Sequence, residues 1–295
     1  MITKTAVTAV LGRPNVGKST LVNALAGEKV AIVTPKPQTT RTRIMGVANR
    51  GDTQFILIDT PGFHAARTGL GEYMVNTARR SIAGSDAVIL VIEPAAGVGV
   101  PEKEIIGRIK ACGLPAVLVI NKTDAVRKET LLPVTEIYSK EHKWNAVVPI
   151  SAKYNDGVDI LADELEKFAQ AGPALFPEGQ ISDQPQRILF AEIVREKLLM
   201  CLDKEVPHGI ATETSEFSVR DNGIIDLSIL ICCEKQSHKG IIIGKNGDML
   251  KKAGELARAD IESVAKAKVF LQTRVKVKEN WRDNKMLLRN FGFGE

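Results

Sequence analysis

The chain has 295 residues, 44% of them hydrophobic and 25% charged. That is a globular composition, which excludes a disordered or fibrous protein, and the length suits two domains of about 100–150 residues each. No apolar run approaches the roughly 20 residues of a membrane-spanning helix, and residues 1–11 do not read as a secretory leader. The net charge of +5 is unevenly spread, with +4 over residues 1–175, −6 over 176–234 and +7 over 235–295. A basic end beside an acidic segment points to a polyanionic partner for that end. The four cysteines (Cys112, Cys201, Cys232, Cys233) form no CxxC pair. They suggest neither a zinc site nor a disulfide framework, and a reducing cytoplasm is the expected location.

In chain order, Thr5–Leu11 reads as a buried strand, followed by a glycine-rich turn and an amphipathic helix to about Ala26. Short apolar runs at 54–58, 87–92, 116–120 and 146–150 read as further strands. Helical patterns lie between most of them, at 72–83, 101–111, 128–142 and 158–169. This alternation implies βαβ units and a mostly parallel α/β sheet over residues 1–170. Residues 171–185 hold three prolines and two glycines without periodicity, which predicts a linker. From 186 the grammar changes to a helix (186–202), two strands (210–219 and 224–232) joined by Asp221-Asn222-Gly223, a helix ending near 266 and a basic strand at 269–278. Asp-Asn-Gly between strands is a hairpin signal, and the order α-β-β-α-β defines a smaller α+β domain over 186–295.

Gly12-Arg13-Pro14-Asn15-Val16-Gly17-Lys18-Ser19 matches G-x-x-x-x-G-K-[ST] between a strand and a helix that continues through Thr20. That context predicts backbone N–H groups turned onto phosphates, Lys18 reaching the β- and γ-phosphates and the Ser19 hydroxyl on Mg²⁺. Asn121-Lys122-Thr123-Asp124 follows an apolar strand, at the carboxyl end where such sheets bind ligands. Asp124 there can accept from both the ring N–H and the exocyclic amine of guanine; adenine would leave it unpaired. Asp59-Thr60-Pro61-Gly62 places an aspartate able to hold Mg²⁺ through water and a Gly62 N–H able to sense the γ-phosphate. Thr40, in the loop Gln38-Thr39-Thr40-Arg41, is a third Mg²⁺ candidate, and Ser151-Ala152-Lys153 is placed to support the base. Lys18, Thr40, Asp59 and Gly62 are the residues expected to carry GTP hydrolysis.

In the second half, Gly244-Lys245-Asn246-Gly247 precedes a helix and is flanked by Lys239, Lys251 and Lys252. A GxxG loop of this kind clamps single-stranded nucleic acid by letting the backbone approach the phosphates. Arg274, Lys276 and Lys278 alternate on the last strand and would present one charged face. His64, His142, His208 and His238 have no ligand spacing, and Trp144 and Trp281 read as packing anchors.

The five segments of the first half resemble the guanine-nucleotide domain of the translation-factor-related GTPases. The second half resembles a type II KH domain. Val194-Arg-Glu-Lys197, Gly240–Gly247 and Val275-Lys-Val-Lys-x-x-Trp-Arg-Asp-Asn284 join them, and the whole chain resembles the Era family of GTPases. The resemblance implies a GTP/GDP switch that uses Mg²⁺ and binds the 3′ end of the small-subunit (16S) ribosomal RNA; with no coiled-coil seam in the sequence, a monomer is expected. It further implies a role in small-subunit assembly in the cytoplasm and a peripheral contact with the inner face of the cell membrane. Phe63 stands where many GTPases carry a water-orienting glutamine, so slow intrinsic hydrolysis is expected, with Asn15 resembling a potassium-holding position. Asn246 stands where the family usually has glycine, and Thr273-Arg274 replaces a more apolar pair.

Overall fold

The computed structural model describes residues 1–62, 68–94, 97–203 and 206–293. These fall into two compact units, one built from 1–31, 40–62 and 74–183, the other from 32–39, 68–73 and 184–293.

The first unit is built on β1 (Lys4–Leu11), α1 (Lys18–Ala26), β2 (Ile44–Arg50), β3 (Thr53–Asp59), α2 (Gly69–Ile82, of which 74–82 belong to this unit), β4 (Ala87–Ile92), α3 (Val100–Cys112), β5 (Ala116–Ile120), α4 (Leu131–Glu141), β6 (Ala146–Pro149), α5 (Val158–Glu166) and β7 (Gln170–Ala171). Its sheet runs β2-β3-β1-β4-β5-β6, with β7 pairing antiparallel to β1. Every residue of β4 and β5 is buried, as expected of parallel strands covered on both faces. The pleat sends alternate residues to two cores. Ile89, Val91, Val117 and Val119 pack with Leu21 and Leu161 on one face. Val88, Leu90, Leu118 and Ile120 pack with Ile105, Ile109 and Tyr138 on the other.

Two features differ from the sequence reading. The half-exposed edge strand β2 pairs antiparallel with β3, and its short, weakly alternating pattern carries little strand signal. Gly46 sits within it because a Cβ there would lie 2.8 Å from Val22 on α1. The segment expected to be a linker is tied down over most of its length. The Gln54 side chain accepts from the Leu175 and Phe176 N–H groups at 2.8 and 2.9 Å. The Val47 N–H donates to the Ile181 carbonyl at 2.8 Å.

The second unit holds α6 (Gln186–Cys201), β8 (Ala211–Val219), β9 (Ile225–Cys233), α7 (Gln236–Ile243), α8 (Asp248–Ala265), β10 (Val269–Val277) and α9 (Lys285–Asn290). Its sheet runs β10-β9-β8, with β8–β9 antiparallel through the expected hairpin and β9–β10 parallel. α6, α7 and α8 cover one face with Phe190, Ile193, Ile242 and Ile261. The segment 32–39 belongs to this unit: Ile32 joins that core, the Val33 N–H donates to the Glu196 carboxylate at 2.8 Å, and Arg195 donates to the Thr39 carbonyl. Sequence reasoning missed α7 and α9. The run Gly240-Ile-Ile-Ile243 is rich in residues unfavourable to helix, and burial of Ile242 overrides that preference. Cys232 and Cys233 are both fully buried, as is Trp281, whose indole N–H donates to the Gly209 carbonyl at 2.9 Å.

Candidate functional site

The glycine-rich turn leaves β1 beside β4, and a Cβ on Gly12 would lie 2.4 Å from the Val91 carbonyl oxygen. Gly12, Asn15 and Gly17 have φ of 149°, 66° and 97°, a conformation that turns backbone groups inward and explains the residue types at those places. α1 starts directly after Gly17, so its positive end faces the loop. Lys18 is buried and donates to the Gly12 and Arg13 carbonyls at 3.1 and 2.9 Å. Burial lowers its pKa from 10.5 to about 8, against the pull of Asp59. Burial likewise raises Asp59, against Lys18 and the Ser19 hydroxyl. Burial thus penalises the charged form of each, and a compensating opposite charge beside it, anionic at Lys18 or cationic at Asp59, would favour that form.

Ser19, Thr40 and Asp59 converge. The Ser19 hydroxyl donates to Asp59 Oδ2 at 2.6 Å, lies 2.8 Å from Thr40 Oγ1, and Thr40 donates to Asp59 Oδ2 at 3.3 Å. Asp59 Oδ1 is buried with no hydrogen-bond partner among the described residues. Three hard oxygen donors with one orphaned carboxylate oxygen fit Mg²⁺. Such an ion would supply charge neutralisation at the β- and γ-phosphate oxygens. Thr60 is fixed by donation to the Val10 carbonyl at 2.7 Å, and Gly62 packs against Pro14, where a Cβ would meet the Pro14 nitrogen at 2.8 Å. Phe63 and His64 lie outside the described residues.

The 121–124 segment is tied to the same loop. Asn121 Nδ2 donates to the Val16 carbonyl at 2.8 Å, and its Oδ1 accepts from the Ala152 N–H at 3.0 Å. Lys122 donates to the Asn15 carbonyl at 2.7 Å and pairs with Glu93. Asp124 is exposed, and the Ser151 hydroxyl donates to its Oδ1 at 2.6 Å. An open carboxylate held from behind is arranged to receive a base. Lys153 is exposed at the same rim. Glu93 had no motif to announce it and was missed.

In the second unit, Gly244 ends α7 at φ 76°, where a Cβ would lie 2.7 Å from Met249. Asn246 has φ 53°, a left-handed conformation that asparagine tolerates better than most residues, so the loop keeps its shape without a third glycine. Beside it runs a groove of about 340 Å³ lined by Gly247, Leu250, Lys251, Gly254, Glu255, Arg258, Leu271 and Thr273. Of the predicted residues, Gly247 and Lys251 line it; Gly244, Lys245, Asn246, Lys239 and Lys252 lie outside its lining. Arg258 and the apolar floor of Leu250 and Leu271 were missed. The signal for Arg258 is the spacing 251, 254, 258 along one face of α8; Leu271 lies on β10, where no local pattern ties it to that face.

A phosphate-loop α/β unit with a guanine-type base loop, followed by a small α+β unit with a GxxG groove, defines the class of GTP-binding proteins that carry a KH domain. Comparison with known proteins agrees: residues 7–122 match the family described as 50S ribosome-binding GTPase, and residues 205–282 match the KH domain. GTPase Era of Ruminiclostridium cellulolyticum is 45% identical over 290 residues, covering 98% of this chain and 97% of that one. GTPase Era of Clostridioides difficile is 42% identical over 294 residues, 99% of each chain. The chain belongs to the Era family of GTPases. Among solved structures, Era in complex with MgGDPNP and nucleotides 1506–1542 of 16S ribosomal RNA superposes with a TM-score of 0.95 at 37% identity over 99% of this chain and 100% of that one. A variant of Aquifex aeolicus Era bound to GDP and AlF4⁻ gives a TM-score of 0.94 at 37% identity, with the same coverage.

Proposed function

We propose that this GTPase is a switch that binds the 3′ end of small-subunit ribosomal RNA through its GxxG groove and assists small-subunit assembly, with GTP and Mg²⁺ held at Gly12–Thr20, Thr40, Asp59–Gly62, Asn121, Lys122, Asp124 and Ser151–Lys153. The reading rests above all on two built sites in one chain, the Ser19–Thr40–Asp59 cluster and the groove along α8. It is supported by the near full-length similarity to a relative solved with MgGDPNP and 16S rRNA. Residues 1–170 serve the nucleotide, 171–185 connect, and 186–295 serve the RNA. Lys18, the loop amides and Mg²⁺ stabilise charge developing on the transferred phosphoryl group. The role places the protein in the cytoplasm with the assembling subunit, as a monomer, with a peripheral contact at the inner membrane face as a further element of the family reading.

The test is RNA binding with a non-hydrolysable GTP analogue, with GDP and without nucleotide, using the small-subunit rRNA 3′-terminal segment and a scrambled control. Tight, sequence-selective binding that needs the GTP analogue supports the switch. Equal weak binding in all arms would leave the nucleotide site standing and remove the RNA role.

A further inference from the structure

The assignment above uses only the backbone of Arg13. Its guanidinium turns aside and pairs with Glu102, in the first turn of α3. The Glu102 side chain is 4% exposed and that of Arg13 is 41%, so the carboxylate is the buried member. An ionised carboxylate survives burial only when paired. Space for it is left by Gly99: a Cβ there would lie 2.7 Å from Glu102 Oε2. A buried charge reaching from α3 to the phosphate loop is an expensive way to cap a helix, and an ordinary exposed acidic residue would serve α3 as well.

The other ties on the loop show what it does. Asn121 holds Val16 and Lys122 holds Asn15, both by their carbonyls. Lys18 holds the carbonyls of Gly12 and Arg13. An ammonium has three N–H donors, so Lys18 can keep both carbonyls while its third donor reaches a phosphate oxygen. The Arg13 side chain adds a tie of a different kind, from this end of the loop out to α3. We propose that Glu102 is a positioning residue of the GTPase, anchoring Arg13 so that the first half of the phosphate loop keeps its binding shape. The proposal rests on reading 12–19 as the phosphate loop.

The test uses the full-length protein and compares wild type with Glu102→Gln, Arg13→Ala, the double variant, Gly99→Ala (which displaces the carboxylate without removing it) and Glu104→Gln, an exposed α3 residue paired with Arg108. Release of a fluorescent GDP analogue is followed by stopped flow, with steady-state hydrolysis and urea unfolding alongside. Each single variant at the pair, and Gly99→Ala, should release GDP about ten- to hundredfold faster, in line with couplings between contacting charged residues. The double variant should be no worse than either single, kcat at saturating GTP in Glu102→Gln and Gly99→Ala should stay within about threefold, and Glu104→Gln should match wild type. Unchanged release in Glu102→Gln and Arg13→Ala, additive effects in the double variant, or a lower urea midpoint with release unchanged would overturn the role. Should Glu102→Gln fail to fold, Arg13→Ala and Gly99→Ala decide. If wild type itself holds no GDP, the phosphate-loop reading fails, and that is a different result from a wild type that binds while the variants match it.

Discussion

Substituting Gly17 by alanine probes how closely the base loop and the phosphate loop are fitted to each other. Gly17 has φ 97° and ψ 26°, and placing an L side chain in this region costs about 1–2 kcal/mol. A Cβ would also fall 2.2 Å from Asn121 Nδ2. Asn121 cannot yield freely, because it is 1% exposed and carries the bonds to Val16 and from Ala152. Swinging it away leaves those buried groups unsatisfied, at about 1–3 kcal/mol each. The expected total is about 3–8 kcal/mol, which for a unit of this size, at about 2–4 °C per kcal/mol, lowers the melting temperature by at least about 6 °C and by up to about 30 °C. Gly27 provides the control: it is also left-handed, at φ 73°, but a Cβ there meets nothing within 4 Å, so Gly27→Ala should cost only about 1 kcal/mol. Calorimetric melts of both variants, with titration of a fluorescent GDP analogue, measure the difference. In an Asn121→Ala background the clash is gone, and Gly17→Ala should then cost no more than the backbone strain. The reasoning is refuted if Gly17→Ala melts within a few degrees of Gly27→Ala and binds GDP as wild type does.

Asp124→Asn should lose GTP affinity by at least about a hundredfold, since two charge-assisted bonds to guanine are removed. It should gain xanthosine triphosphate, whose C2 carbonyl can accept from the new amide; competition binding with both nucleotides reads it. Ser151→Ala frees the Asp124 carboxylate and should cost about fivefold in GDP affinity in the same assay. Arg258→Ala and Lys251→Ala, both in the α8 groove, should each weaken RNA binding and reduce the slope of log K against log salt by about 1; an unchanged slope would place the RNA elsewhere. Burial raises the Cys232 thiol from 9.0 to about 11. Between those pH values the unfolded chain therefore gives up a proton that the folded chain keeps, and stability falls with rising pH by up to about 2 kcal/mol. The fall should be smaller in Cys232→Ala, as urea melts at pH 8.5 and 10.5 would show. If Asn15 holds a cation, hydrolysis should be faster in potassium than in sodium and the difference should vanish in Asn15→Ala; equal rates would remove the cation.

The sequence by itself determined the parts whose physics is local. The phosphate loop needs glycines and a lysine at fixed offsets between a strand and a helix, so Gly12–Ser19 could be read from spacing. The central strands β4 and β5 are buried on both faces and show as unbroken apolar runs, and the β8–β9 turn carries its own Asp-Asn-Gly signal. Tertiary structure alone decided the rest. The strand β2 is shaped by β3 and by the strap at 175–183, α7 by burial of Ile242, and the groove by one face of α8 meeting Leu271 and Thr273 on β10. The sequence names Ser19, Thr40 and Asp59 but not their convergence within 2.6–3.3 Å, nor the reach of Glu93 to Lys122 and Glu102 to Arg13. Those contacts join residues 19 to 89 positions apart, and no local periodicity records a partner that only the folded sheet brings near.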